Sequence, residues 1–209
     1  MREIEARVID GFMRGLPGVD AQLRMAPRPR YGWDPHQFPE GLREGAALVL
    51  IYPINGHPHV LLTVRGSGMR NHTGQVSFPG GAVDPEESFE TAALREASEE
   101  VAVAPASVRV LGRLTPLHIP VSGYRLHPVV GFVDDRPDFR PALSEVARIL
   151  EVPIDLLQEP EVLKSESQTR QVAGQSYEVE IPYFAIDGQK VWGATAMALA
   201  EFLALLESE

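Results

Sequence analysis

Cysteine is missing from all 209 residues. No disulfide can staple the chain, and no thiolate is there to bind a soft metal or attack a substrate. Missing too is any apolar run near the roughly 18 to 20 residues that span a bilayer. The opening stretch MREIEARVIDGFMRGL carries acids and lacks both a long hydrophobic core and a small-residue cleavage site, so it does not read as a secretory signal. These absences fit a cytoplasmic protein with no membrane partner. Positive charge is scarce: 19 Lys and Arg stand against 29 Asp and Glu, a formal net charge of −10. A general nucleic-acid surface needs clustered cations and is excluded on that ground. An anionic small molecule is not excluded, because a metal ion and two or three arginines can make one pocket positive inside an acidic protein.

What is present describes an ordinary folded chain. The apolar share of 44% and charged share of 23% are those of globular proteins, and the length suits one core or a core with a small appendage. Ile4, Val8, Phe12 and Leu16 recur every four residues and predict an amphipathic helix over 2–16, free to pack on its own body or across a homodimer interface. From Pro17 to Gly45 prolines and glycines are frequent, and an irregular arm is expected. Residues 1–45 therefore form a helix and arm lying on a body of residues 46–209. In that body AALVLIY (46–52) and VLLTV (60–64) flank Asn55-Gly56, a hairpin signal. A long loop follows over 66–81. Further strands are expected at 108–114, 129–133, near Val162 and at 177–184. Helices are expected at about 144–150, in a short turn ending near Gln158, and at 194–206. Strands mixed with few helices indicate an α/β or α+β domain.

The segment GAVDPEESFETAALREASEEVAV (81–103) holds the best-marked helix. Asp84 as cap, Pro85 in the first position and Glu87 three after the cap predict a helix starting there and running to about Val101. At about 100° per residue, Phe89, Ala93, Ala97 and Val101 form one apolar stripe. Glu100 projects into the stripe, Glu96 lies at its edge, and Glu99 flanks both, at spacings that put Cβ atoms about 5–6 Å apart. Glutamates at i, i+3 and i+4 usually mark a solvated face, but here an apolar stripe and a Gly80-Gly81 pair lie beside them. Crowded anions beside an apolar face repel one another and need a counter-charge. Arg95 supplies one. A hard divalent cation, which prefers carboxylate oxygen and water, would supply more.

The same residues resemble the signature of the Nudix hydrolase family: Gly, five residues, Glu, seven residues, then Arg-Glu-apolar-any-Glu-Glu-any-Gly-apolar. Gly81, Glu87, Arg95, Glu96, Ala97, Glu99, Glu100 and Val103 stand in that register, which chance would match at about one start in 10⁷. Ala102 departs from the pattern, where the family has a glycine, and Ala97 is small for its position. Alanine at 102 is expected to cost about 1 kcal/mol or to shift the helix exit. The resemblance implies a Nudix fold, a mixed sheet sandwiched between helices, and hydrolysis of a diphosphate with Mg²⁺ or Mn²⁺ as cofactor. It implies metal binding by Glu96, Glu100, Glu99 and the Gly81 carbonyl. In the catalytic set Glu99 is a ligand or the base, Arg95 orients and pairs with Glu87, and Glu145 is a candidate base from outside the helix.

The preceding loop narrows the substrate. Leu61-Leu62-Thr63-Val64-Arg65, then Arg70, Gly74 and Phe78-Pro79-Gly80-Gly81, is similar to the extra motif of the coenzyme A diphosphatase branch of that family, with Gly66 replacing its Ser or Ala. Val191 to Ala196 and Glu145 to Pro153 also look like that branch. Arg65, Arg70 and His72 are cations on one strand end and its loop, and arginine's planar fork suits phosphate. Arg65, Arg70 and Phe78 are accordingly the substrate-binding candidates, although Phe78 also reads as core. Trp192 and Tyr183 read as core anchors. The resemblance implies cleavage of coenzyme A or acyl-coenzyme A to 3′,5′-adenosine diphosphate and (acyl-)4′-phosphopantetheine. Two other readings stand beside it: hydrolysis of another nucleoside diphosphate derivative such as ADP-ribose or a dinucleotide, and a Nudix domain that senses a ligand without cutting it.

Overall fold

A computed structural model describes residues 1–30, 33–66, 74–172 and 174–207. The amphipathic repeat near the start forms α1 (Arg2–Arg14), which buries Ile4 and Val8. The arm that follows is less irregular than expected. It holds a short α2 (Gly18–Gln22) and a 3₁₀ turn at Leu23–Met25, and Arg28 forms a single β-bridge to Glu180.

The strong apolar run becomes β1 (Arg43–Ile54), paired with β2 (His57–Arg65) through Asn55 and Gly56. Both turn residues have positive φ, 50° and 80°, the left-handed pair that lets a two-residue turn follow the strand twist. Next come β3 (Val76–Ser77), β4 (Gly80–Ala82) and α3 (Phe89–Val101). After α3 lie β5 (Arg109–Arg113), β6 (Leu117–Ile119), β7 (Tyr124–Phe132), β8 (Val146–Pro153) and α4 (Ile154–Leu157). The chain closes with β9 (Leu163–Val172), β10 (Gln175–Ile186), β11 (Gln189–Trp192) and α5 (Gly193–Leu206).

The main sheet runs β3-β2-β1-β7-β5, with β4 on β1, β6 on β7 and β8 on β2; β11-β10-β9 form a second, smaller sheet. Strand β1 lies parallel to β7 and antiparallel to β2 and β4, so the sheet is mixed. Helices cover both of its faces, as the fold class expected. The uninterrupted apolar run explains why. Ala46, Leu48, Leu50 and Tyr52 point to a core shared with α3, while Ala47, Val49 and Ile51 point to a core shared with α1 and α5. A strand buried on both faces has no polar positions to alternate with. Among the described residues no helix is long and apolar enough to cross a membrane.

Helix α5 carries a carboxylate that is fully buried, Glu201. It accepts from Gly18 N (3.2 Å), Gln22 Nε2 (2.7 Å), Thr115 N (3.1 Å) and Thr115 Oγ1 (2.7 Å). A charge removed from water needs such a set of donors. The result is a polar knot joining the arm, the segment before β6 and the last helix.

Two sequence expectations are overturned. Residues 144–150 lie largely in β8 and not in a helix, because Leu150 and Val152 face the core opposite Leu62 and Val60 of β2. Pairing with β2 outweighs a short run of moderate helix formers. The second correction concerns the start of α3. Asp84-Pro85-Glu86-Glu87 is a turn, closed by Glu87 N to Asp84 O at 3.1 Å, with Glu86 at φ 68°. Proline at the second turn position and positive φ at the third are the marks of a type II turn. Helix capping falls to Ser88, whose Oγ accepts from Thr91 N at 3.1 Å.

The far end of α3 meets its expectation without a shifted exit. Ala102 holds the left-handed conformation (φ 60°, ψ 30°), and its N–H reaches Ala97 O and Ser98 O. A Cβ in that conformation costs roughly 1–2 kcal/mol, offset in part by the lower unfolded-state entropy of alanine relative to glycine. Ala102→Gly is expected to stabilise the protein by about 0.5–1 kcal/mol, read as a rise of about 2 °C in Tm with unchanged catalytic rate. A lower Tm would show that the strain is not there.

Candidate active site

Three alanines with no exposed surface, Ala92, Ala93 and Ala97, pack α3 against the sheet. Ala97, small for the signature position, belongs to this close contact. Strand β4 runs beside the same helix, and its two glycines do different things. A Cβ on Gly80 would lie 2.4 Å from Ala46 O and 2.7 Å from Ala47 Cα, so this glycine admits the backbone of β1. A Cβ on Gly81 would lie 2.4 Å from Glu96 Oε1, so this one admits a carboxylate.

Arg95 is the hub of the cluster. Its Nε and Nη2 donate to the two carboxylate oxygens of Glu87 at 3.1 and 3.0 Å, a planar fork on a planar acceptor. Nη2 also donates to Ala82 O at 3.0 Å, and Nη1 to Glu96 Oε1 at 2.8 Å and Glu99 Oε2 at 3.4 Å. Helix, turn and β4 are thereby fastened together. The hydrogen bonds from Arg95 hold the Glu87 carboxyl below its ordinary range.

Glu100 is the buried member, 6% exposed. Burial pushes its carboxyl up to about 7. The Arg65 charge opposes this, Glu96 and Glu145 add to it, and the Gly80 N–H opposes it by hydrogen bonding. Burial likewise raises Glu96. Arg95 pulls it down, while Glu99 and Glu145 push it up. Glu99 is the outer member, its side chain 60% exposed. Glu145, a base candidate far away in sequence, therefore belongs to the same electrostatic cluster. Its place is fixed by backbone bonds. Ala142 N donates to Glu100 O at 2.8 Å, Glu145 N to Ala142 O at 2.8 Å, and Gly66 N to Glu145 O at 2.7 Å. A Cβ on Gly66 would lie 3.3 Å from that same oxygen, so the departure from Ser or Ala at this position allows the close approach.

The donor chemistry fits a hard divalent cation. Glu96 and Glu100 are desolvated carboxylates that feel the charge of Glu145, and Arg65 beside Glu100 and Arg95, shared among Glu87, Glu96 and Glu99, do not balance them. As the side chains stand, no three acidic or histidine groups among the described residues converge into a ready-made cage. Arg95 draws Glu87, Glu96 and Glu99 to itself. Glu96 and Glu100, with Glu99 and the Gly81 carbonyl, are the groups that would hold the ion.

A cleft of about 690 Å³ opens beside the glycines. Gly80, Gly81, Arg65 and Phe78 line it from the main sheet and its loop, Leu117, Ile119 and Leu126 from β6 and β7, and Met197 from α5. Phe78 is only 4% exposed and belongs to the core, so it borders the cleft chiefly as packing. Arg70 and His72 lie outside the described residues. Sequence reasoning missed Arg30, Trp33 and Arg170, which also line the cleft, and took Trp192 for a core anchor when it stands in the cleft wall. The alternation in β9 marks Arg170, Gln168 and Glu166 as sharing a face. Nothing in that pattern tells which face meets the cleft.

Comparison with known proteins gives a consistent picture. The model of the NUDIX domain matches residues 42–169. A protein of Pectobacterium atrosepticum described as an uncharacterized Nudix hydrolase NudL is 47% identical over 126 residues, 57% of this chain and 65% of that protein. Its namesake from Salmonella typhimurium is 38% identical over 169 residues, 80% of this chain and 85% of the other. The match thus spans just under two thirds of the first relative and most of the second. Among solved structures, a Nudix hydrolase from M. smegmatis, RenU, aligns with a TM-score of 0.48 and 24% identity over 56% of this chain and 73% of that one.

Proposed function

Because this chain belongs to the Nudix family, we propose that it is a divalent-metal-dependent diphosphatase that splits coenzyme A or acyl-coenzyme A into 3′,5′-adenosine diphosphate and (acyl-)4′-phosphopantetheine. The observation that carries the hydrolytic half is Glu100, a buried carboxylate crowded by Glu96 and Glu145 and set against Gly80. A ligand sensor has no need of such an arrangement. Mg²⁺ or Mn²⁺, when bound, lowers the pKa of a coordinated water and offsets charge on the leaving oxygen.

The chain's own residues supply the rest. Glu96 and Glu100 would hold the ion, and Gly81 leaves room for the Glu96 carboxylate. Arg95 keeps Glu87, Glu96 and β4 in register. Glu145 accepts the proton of the attacking water, and Glu99 would be a further ligand of the ion. Water attacks phosphorus, the bond from phosphorus to the bridging oxygen breaks, and the leaving phosphate departs with that oxygen. Arg65 pairs with phosphate oxygens.

The coenzyme A half rests on the Leu61 to Gly81 motif and on the cleft's composition. In a chain of net charge −10, the cleft lining contains, among the described residues, three arginines and neither aspartate nor glutamate. Purified protein incubated with coenzyme A, ADP-ribose or a dinucleoside polyphosphate, with and without Mg²⁺ or Mn²⁺, tests this. Coenzyme A is expected to be the best substrate, with 3′,5′-adenosine diphosphate as product only when metal is added. Faster turnover of ADP-ribose would overturn the specificity, and no metal-dependent product from any of them would overturn the enzyme.

A further inference from the structure

We infer that Arg170 forms a second phosphate subsite in the cleft, serving a phosphate monoester that the substrate carries apart from its diphosphate. This rests on the coenzyme A reading, whose substrate has such a group on its ribose.

The three arginines that line the cleft among the described residues are not equivalent. Arg65 ends β2, and its charge acts on Glu100, which places it with the cluster that faces the scissile linkage. Arg170 belongs to β9 in the other sheet, beyond the signature helix and the loop before it. It is half-buried, and no carboxylate among the described residues pairs with it. Its Nη2 donates to Gln168 Oε1 at 3.3 Å, and its guanidinium lies 6.0 Å from the centre of the Trp192 ring. Of the acids of this small sheet, Glu166 is engaged with Lys190 and Gln168 and Glu178 with Thr169, while Glu180 is exposed and forms no ion pair with Arg170.

A guanidinium that is partly withdrawn from water, faces a cleft and lacks an acidic partner keeps its remaining donors for a ligand. Trp192 limits where the fork can point. Arg30, exposed on the arm and also lining the cleft, adds a second positive charge. A monoester, with close to two negative charges at neutral pH, gains from both. A substrate with only a bridging diphosphate does not.

Binding and turnover separate this inference from the reading beneath it. By calorimetry, wild-type protein is expected to bind adenosine 3′,5′-bisphosphate about tenfold more tightly than adenosine 5′-monophosphate, consistent with one charge-assisted contact. Arg170→Gln is expected to erase that difference, Arg170→Lys to restore part of it, and Lys164→Ala, on the same strand but outside the cleft lining, to leave it intact. In turnover, Arg170→Gln is expected to raise KM for coenzyme A about tenfold while leaving kcat, and KM for 3′-dephospho-coenzyme A, unchanged. No preference in the wild type, or one that survives Arg170→Gln, would overturn the subsite even if coenzyme A is cleaved. A preference that depends on Arg170 would uphold it even if the best substrate is another nucleotide bearing a monoester.

Discussion

Glu100→Gln is expected to lower kcat by about 10³-fold, the order of loss when one preorganised charged group is removed from a reacting centre, while the metal-free protein becomes more stable. The two effects share a cause. Burial lifts the Glu100 carboxyl to about 7, so the folded protein holds a proton there that the unfolded chain has already released. Stability therefore falls as pH rises from the ordinary carboxylate range to about 7, and the loss is complete above it. A neutral amide avoids this penalty and still accepts from the Gly80 N–H. At pH 8 without metal the variant is expected to gain about 2 kcal/mol, several degrees in Tm. Adding Mg²⁺ should raise the Tm of the wild type and leave that of the variant nearly still. A variant with wild-type turnover, or one stabilised by Mg²⁺ as much as the parent, would remove Glu100 from the metal site.

The neighbouring glycines give a second contrast. Gly81→Ala places its Cβ against the Glu96 carboxylate, the far end of a side chain that can swing away. The fold is expected to lose less than about 1 kcal/mol, but the carboxylate is displaced from its position and activity should fall by about 10²-fold. Gly80→Ala meets Ala46 O and Ala47 Cα, backbone of a central strand buried on both faces. Overpacking of that kind costs about 3 kcal/mol. Thermal denaturation and initial rates on both variants check the split. Equal destabilisation by the two substitutions would mean that Gly81 serves packing and not the carboxylate.

Much of this site could be read directly from the chain. Once Phe89, Ala93, Ala97 and Val101 fixed the apolar stripe, helical spacing alone put Glu96, Glu99 and Glu100 together. The Asn55-Gly56 turn gave the hairpin, and the unbroken run 46–52 gave a strand covered on both sides. Misreadings arose where local pattern competed with partners distant in sequence. Asp84-Pro85 fits a helix start as well as a type II turn, and the choice falls to Ser88 with its hydroxyl on Thr91 N. Residues 146–153 form a strand because β2 offers an unpaired edge. The short strand β11 had a marker that went unread, Asp187-Gly188, whose positive φ values of 50° and 75° make it a second hairpin turn. Arg170 carried no marker and Trp192 only its place in the run Val191 to Ala196, since which side chains of the small sheet line the cleft depends on how that sheet lies against it.

The buried Glu201 has a practical consequence for anyone dividing this chain. Its donors come from residues 18, 22 and 115, two of them upstream of the matched stretch 42–169 and Glu201 itself downstream of it. Trimming only the front would remove the Gly18 and Gln22 donors from a carboxyl group in a dry interior, leaving Thr115 alone, and trimming only the back would leave orphaned amides at Gly18 and Thr115. An expression fragment cut at the borders of sequence similarity would therefore sever this network, and any piece that keeps it must span residues 18 to 201.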